Sequence, residues 1–176
     1  MNQRNVTFAW LASILLLAIF AGATWLEVSL TPDAGEQNLE ITGYLVYPIV
    51  SALILLQAAS LLATFFTPLI VGRIIAGVLT PVMVIHGVFV ALNLEQAFQA
   101  AVSAQIAEIT GVVGADSQLQ FVAFAGDTYL WVAYLAALVL NSVILGAKAL
   151  VKLKPAVAKV AEGPEDSIGD LWESQK

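Results

Sequence analysis

Four stretches of this sequence run the length of a membrane crossing without one charged side chain: Phe8 to Leu26, Tyr44 to Phe66, Ile74 to Leu92, and Tyr129 to Ala147 with room to continue to Val151. A transmembrane helix needs about 20 apolar residues to cross roughly 30 Å of hydrocarbon. A single short apolar run can be the core helix of a soluble domain. Four long ones in 176 residues cannot all be buried by so small a fold. Composition agrees: 60% of residues are hydrophobic and only 11% are charged, against about 45–50% and 25% in ordinary soluble domains. A soluble enzyme, a nucleic-acid binder and a disordered chain are excluded. The absence of cysteine removes disulfide frameworks, cysteine-ligated zinc and iron–sulfur clusters.

The basic residues set the orientation. They are Arg4, Arg73, Lys148, Lys152, Lys154, Lys159 and Lys176. With four spans they all fall on one side, which the positive-inside rule makes cytoplasmic. The other side carries Glu27, Asp33, Glu36, Glu40, Glu95, Glu108, Asp116 and Asp127 with no Lys or Arg. The expected fold is an all-α four-transmembrane-helix bundle in the cell membrane, with both termini cytoplasmic. Residues 1–154 form that domain, with external loops at 27–43 and 93–128, and residues 155–176 form a disordered acidic cytoplasmic tail. A competing reading takes Ala21-Gly22-Ala23 as a signal-peptidase site. The length of the apolar run and its continuation through Trp25 and Leu26 favour retention as a span.

The external loops predict a small cap. Leu26, Val28 and Leu30 alternate with polar residues, as do Leu39 and Ile41, around the turn formers Thr31 to Glu36. This reads as a β-hairpin. Leu94, Phe98, Ala101, Val102, Ile106 and Ile109 recur at helical spacing, giving an amphipathic helix stopped by Gly111 and Gly114. Leu119 to Phe124 reads as a strand extending the hairpin. Trp10, Trp25, Tyr44, Tyr47, Tyr129 and Trp131 lie near segment ends, where amphipathic rings anchor at headgroup level.

The polar residues inside the spans are the candidate functional residues. His86, the single histidine, has three conceivable roles: haem ligand, proton carrier or interhelical hydrogen-bonder. No second histidine exists for a bis-histidine haem, and no acid lies in a span for a relay. Packing is the expectation, and no cofactor or metal is expected. Gln57 and Asn141 are expected to fix helix register, each such bond contributing about 0.6–2 kcal/mol. Pro81 is expected to kink the third span. In the tail, Trp172 within Asp170-Leu171-Trp172-Glu173 is either a flexible end or a short docking motif. No catalytic motif appears, so the chain is expected not to be an enzyme.

Trp25 ahead of a short alternating loop, Thr42-Gly43 followed by Pro48, the basic link at Arg73, Thr110-Gly111-Val112 and the acidic Trp172 ending together resemble the tryptophan-operon-associated conserved membrane protein family of actinobacteria. Leu26 stands where that family often has a second aromatic, and the short Asp-Pro ending is absent. The resemblance implies neither catalysis nor tryptophan transport. The functional expectation is a non-enzymatic accessory or scaffold subunit of a membrane assembly. Its partners would be the lipid bilayer and other membrane subunits or further copies of itself, and no nucleic acid. The alternative is a small transporter or channel component, for an aromatic metabolite.

Overall fold

The computed structural model describes residues 3–32, 37–114, 117–118 and 120–150. The acidic tail with Trp172 and the turn at 33–36 lie outside the described residues.

The described chain is mostly helical. Helix α1 spans Gln3–Gly22; strands β1 (Thr24–Leu30) and β2 (Asn38–Thr42) follow. A single turn, α2 (Gly43–Val46), leads to α3 (Ile49–Phe66), then α4 (Leu69–Thr110), β3 (Val122–Asp127) and α5 (Leu130–Leu150). Helices α1, α3, α4 and α5 are each long and apolar enough to cross a membrane. Their outward surfaces carry Leu55, Phe65, Ile85 and Val139, all well exposed, as suits helices that face lipid. The inward faces supply one core: Trp10, Ile14 and Leu17 from α1, Val50 and Leu61 from α3, Leu79 and Met83 from α4, Leu138 and Leu145 from α5. Helix α5 packs along both α1 and α4.

Three sequence expectations change. The first segment does not stay helical through Leu26. Gly22 ends α1, and Trp25 and Leu26 belong to β1. The second segment is interrupted at Tyr47-Pro48, because proline has no N–H to continue a helical ladder. The third segment and the separate loop helix are one helix of 42 residues, about 63 Å long at 1.5 Å per residue. Nothing between Leu92 and Glu95 breaks a helix, and Asn93 turns its amide back onto the Phe89 carbonyl at 2.9 Å. Pro81 sits inside α4 without ending it. The exposed surface turns from Ile85, Phe89 and Leu92 to Glu95, Gln96 and Gln99, so the apolar part of α4 ends several turns before the helix does. Gly111, left-handed at φ 70°, ends it as expected.

The strands form one antiparallel sheet in the order β2-β1-β3. Three strands were expected, but β3 lies later than Leu119 to Phe124 and pairs with β1, which becomes the central strand. Leu26, Val28, Leu30 and Ile41 share its core-facing side. The sheet sits at the end of the bundle where α1 finishes. Gln118 pins the segment after α4 back onto that helix. Its amide donates to the Ser103 and Val112 carbonyls at 3.1 and 2.8 Å, and its Oε1 accepts from the Ser103 hydroxyl. The opposite end is closed by Arg73, whose Nε donates to the Ala149 carbonyl at 3.0 Å, one of the orphan carbonyls at the end of α5.

Candidate functional site

Midway along the bundle, one side chain touches every spanning helix. Gln57 of α3 is fully buried. Its Oε1 accepts from Trp10 Nε1 of α1 at 3.1 Å and from Asn141 Nδ2 of α5 at 2.9 Å. Its Nε2 donates to Met83 Sδ of α4 at 3.3 Å. Asn141 gives its other proton to Ser13 Oγ at 2.9 Å, and Ser13 donates onward to the Trp10 carbonyl at 2.8 Å. The orientations are forced in sequence. An indole N–H can only donate, so Trp10 fixes which end of the Gln57 amide faces it. The Gln57 oxygen then dictates that Asn141 presents its NH₂. The cost falls on Asn141 Oδ1, which is buried without a partner in the structure.

One layer nearer the sheet lies an aromatic cluster. Trp25 reaches back from β1, its Nε1 donating to the Phe20 carbonyl at 2.8 Å. Its ring meets Tyr134 at 5.2 Å between centroids and Tyr47 and Phe98 at 6.4 Å, the latter two edge-on. Gly43 lies under the indole: an added Cβ would sit 2.5 Å from Trp25 Cζ2 and 2.9 Å from the Ala21 carbonyl oxygen. His86 is 7% exposed. Its Nε2 is 3.0 Å from the Tyr134 hydroxyl, and its ring stands edge-on to Tyr47 and Tyr134. Tyr47 donates to the Val90 carbonyl at 3.3 Å. Trp25, Tyr47, Tyr134 and His86 are therefore held by polar bonds as well as packing.

The anchoring expectation fails for Trp10, Trp25 and Tyr47, all buried in the bundle. Trp10 lies two turns inside a helix that begins at Gln3, and Trp25 is folded inward by the strand. Tyr129 is exposed and Trp131 half-buried, the indole donating to both Asp127 carboxylate oxygens. Gln57 and Asn141 meet directly; His86 and Pro81 lie on the same helix but join neither that pair nor each other.

Sequence reasoning missed Lys148. It is buried in the last turn of α5, with its ammonium 4.5 Å from the centre of the Trp10 ring and 3.3 Å from Thr7 Oγ1. The only signal was its position at the end of an apolar run, from which a lysine stem can lie along an aromatic surface.

A groove of about 560 Å³ runs between α4 and α5, lined by Met83, Gly87, Ala91, Leu135 and Leu138 among others. The hydroxyls beside it turn back to their own helices, Thr80 to Ala76 and Ser142 to Leu138. Its surface is accordingly apolar. Among the described residues, no three His, Cys, Asp or Glu side chains gather as a metal site. Neither a family model, nor a curated protein, nor a solved structure matches the chain.

Proposed function

We propose that this chain is a non-enzymatic integral membrane protein, an accessory or scaffold subunit of a membrane assembly, oriented in the cell membrane with both termini in the cytoplasm. The observation that carries the reading is the Gln57 junction. The amides of Gln57 and Asn141, the polar groups best placed to handle a solute in mid-membrane, are engaged with Trp10, Ser13 and Met83. His86 is likewise engaged with Tyr134. Interhelical bonds of this kind hold register. The polar surface left for other molecules lies at the end of the bundle, on the sheet and the projecting half of α4; the groove between α4 and α5 is apolar. The orientation rests on the side shared by Arg4, Arg73 and the lysines from Lys148 onward.

Membership of the tryptophan-operon-associated family belongs to the same proposal. Two residues of the resembling pattern support it as a structural unit, since only glycine at position 43 leaves room for the Trp25 ring. The test is purification from the native membrane in mild detergent. An accessory subunit co-migrates with stoichiometric proteins, and that complex survives Gln57→Leu. Solute uptake into proteoliposomes that Gln57→Leu abolishes would reverse the choice in favour of a transporter.

A further inference from the structure

Among the described residues, β3 is an edge strand of the sheet. Strand β1 is paired on both sides, and β2 has α2 and α4 as neighbours. Among the described residues no strand pairs with the far side of β3. Exposed sheet edges in native proteins are usually blunted by lysine, proline or a covering element. Val122-Ala123-Phe124-Ala125-Gly126 has neither lysine nor proline, and Ala123, Phe124 and Ala125 are exposed, Phe124 to 62%. The register irregularity with β1 lies at the Val122 end, so Phe124 to Asp127 continue in step with it.

The phase of the ladder says which groups are free. Thr128 N–H donates to the Trp25 carbonyl at 3.1 Å. Antiparallel pairs alternate between bonded and non-bonded, so Gly126 and Phe124 turn their backbone groups toward β1. Ala125 and Asp127 turn theirs outward.

The solvent face of the sheet then says what would fit. Glu40 of β2, Glu27 of β1 and Gly126 of β3 stand in one row across the strands. Two glutamates directly opposite one another repel. Both are exposed; the Glu27 carboxylate accepts no hydrogen bond from the described residues, and Glu40 accepts one from the Thr24 hydroxyl at 3.2 Å. The row ends at a residue without a side chain, and the exposed Phe124 ring folds over it, 2.8 Å from where a Cβ would stand. All the ionic groups at this end of the chain, in 24–48 and 93–129, are acidic. A long cationic side chain on a strand added next to Gly126 would lie over the Phe124 ring that covers the glycine and place its charge toward Glu27. A second copy of this chain would bring no cationic side chain to the same row, since 24–48 and 93–129 contain neither lysine nor arginine.

We propose that the outer edge of β3 accepts an extended, lysine- or arginine-bearing segment of a partner protein as a fourth strand, its cationic side chains directed to Glu27, with Glu40 adding negative potential behind it. This deepens the accessory-subunit reading and rests on it for the existence of a partner. Main-chain bonds from Ala125 and Asp127 would provide affinity, and the acidic row the selectivity.

The test uses the full chain in nanodiscs of neutral phosphatidylcholine and three synthetic six-residue peptides: alternating lysine and valine, alternating glutamate and valine, and the lysine peptide N-methylated along its backbone. The lysine peptide should bind and slow hydrogen exchange of the Ala125 and Asp127 amides at least tenfold. Combining Glu27→Gln with Glu40→Gln should weaken binding about three- to tenfold, the size expected of exposed ion pairs. Equal binding of the glutamate or N-methylated peptide overturns the proposal, as does unchanged exchange at Ala125 and Asp127. Cross-linking of Ala125→Cys copies into a symmetric dimer also overturns it, in favour of self-association. Failure here removes the edge assignment only. The accessory-subunit reading fails separately, on solute uptake that depends on Gln57.

Discussion

Replacing Gln57 with leucine and, separately, Asn141 with leucine should have unequal effects, and the inequality follows from which atoms are left behind. Leucine at 57 keeps most of the volume but removes Oε1, which two donors share. Trp10 Nε1 then has no acceptor, and Asn141 retains only its bond to Ser13. In a soluble core each orphaned donor would cost about 1–3 kcal/mol. These groups lie in helices built for lipid, where the separated helices also find partners. Measured interhelical bonds there average about 0.6 kcal/mol and reach about 1.7. The two bonds to Oε1 therefore give a loss of about 1–3 kcal/mol, to which the weak bond from Nε2 to the Met83 sulfur adds little. Leucine at 141 strands no donor: Gln57 Oε1 keeps Trp10, and the Ser13 hydroxyl keeps the Trp10 carbonyl. It also removes Oδ1, the buried acceptor without a partner. Its cost should stay under about 1 kcal/mol on the same scale. In the double variant the orphaned Asn141 donor disappears, so the combined loss should fall short of the sum by about 0.5–1.5 kcal/mol, as expected of contacting residues. Reversible unfolding in mixed micelles of increasing denaturing detergent, followed by helicity, measures all three. Asn141→Leu costing more than Gln57→Leu would refute the reasoning. So would strict additivity in the double variant.

Gly43→Ala should destabilise the fold by about 1–3 kcal/mol, the usual range for overpacking, because the new methyl meets the Trp25 ring and the Ala21 backbone. Gly22→Ala, 3.5 Å from the Tyr44 ring, should be tolerated, and thermal melts of the two variants compare them. Tyr134→Phe removes the hydroxyl beside His86 Nε2 and should cost about 0.5–1.5 kcal/mol. His86→Gln should still fold, and the purified parent should show no Soret band; a band lost in that variant would restore a haem role. Ser117→Cys should react with a membrane-impermeant thiol reagent from outside intact cells, while tags at both termini report cytoplasm. An externally accessible C-terminal tag would defeat the four-span orientation.

The four-helix plan is legible in the sequence because charge-free runs of that length have one economical solution. The element boundaries are less so, since apolar composition does not distinguish the end of a helix from the strand that follows. Trp25 and Leu26 continue an apolar run, yet Gly22 lets the chain leave the helix and β1 takes them into the sheet. The same blindness divides α4. Hydropathy falls at Asn93 and Glu95 and suggests a span followed by a loop. Backbone hydrogen bonding does not respond to hydropathy, and without glycine or proline the helix continues into water. Strand β3 was misplaced for the opposite reason. Gly126 and Asp127 have poor intrinsic strand preference, and pairing with Glu27 and Leu26 of β1 overrides it.

For the candidate site, residue type is legible and partnership is not. Gln57, Asn141 and His86 stand out as polar groups in apolar spans, and a role in interhelical bonding follows from the cost of leaving such groups unpaired in lipid. Which donor meets which acceptor depends on the phase of α1 against α5, and span limits that differ by a few residues change it. Placing the first span at Phe8 puts Trp10 near the interface, whereas starting the helix at Gln3 puts it two turns inside. Its N–H then faces Gln57 while its ring carries Lys148. One indole thus links the mid-bundle amides to the basic end of α5, which gives a residue first read as a lipid anchor the central position in the helix contacts.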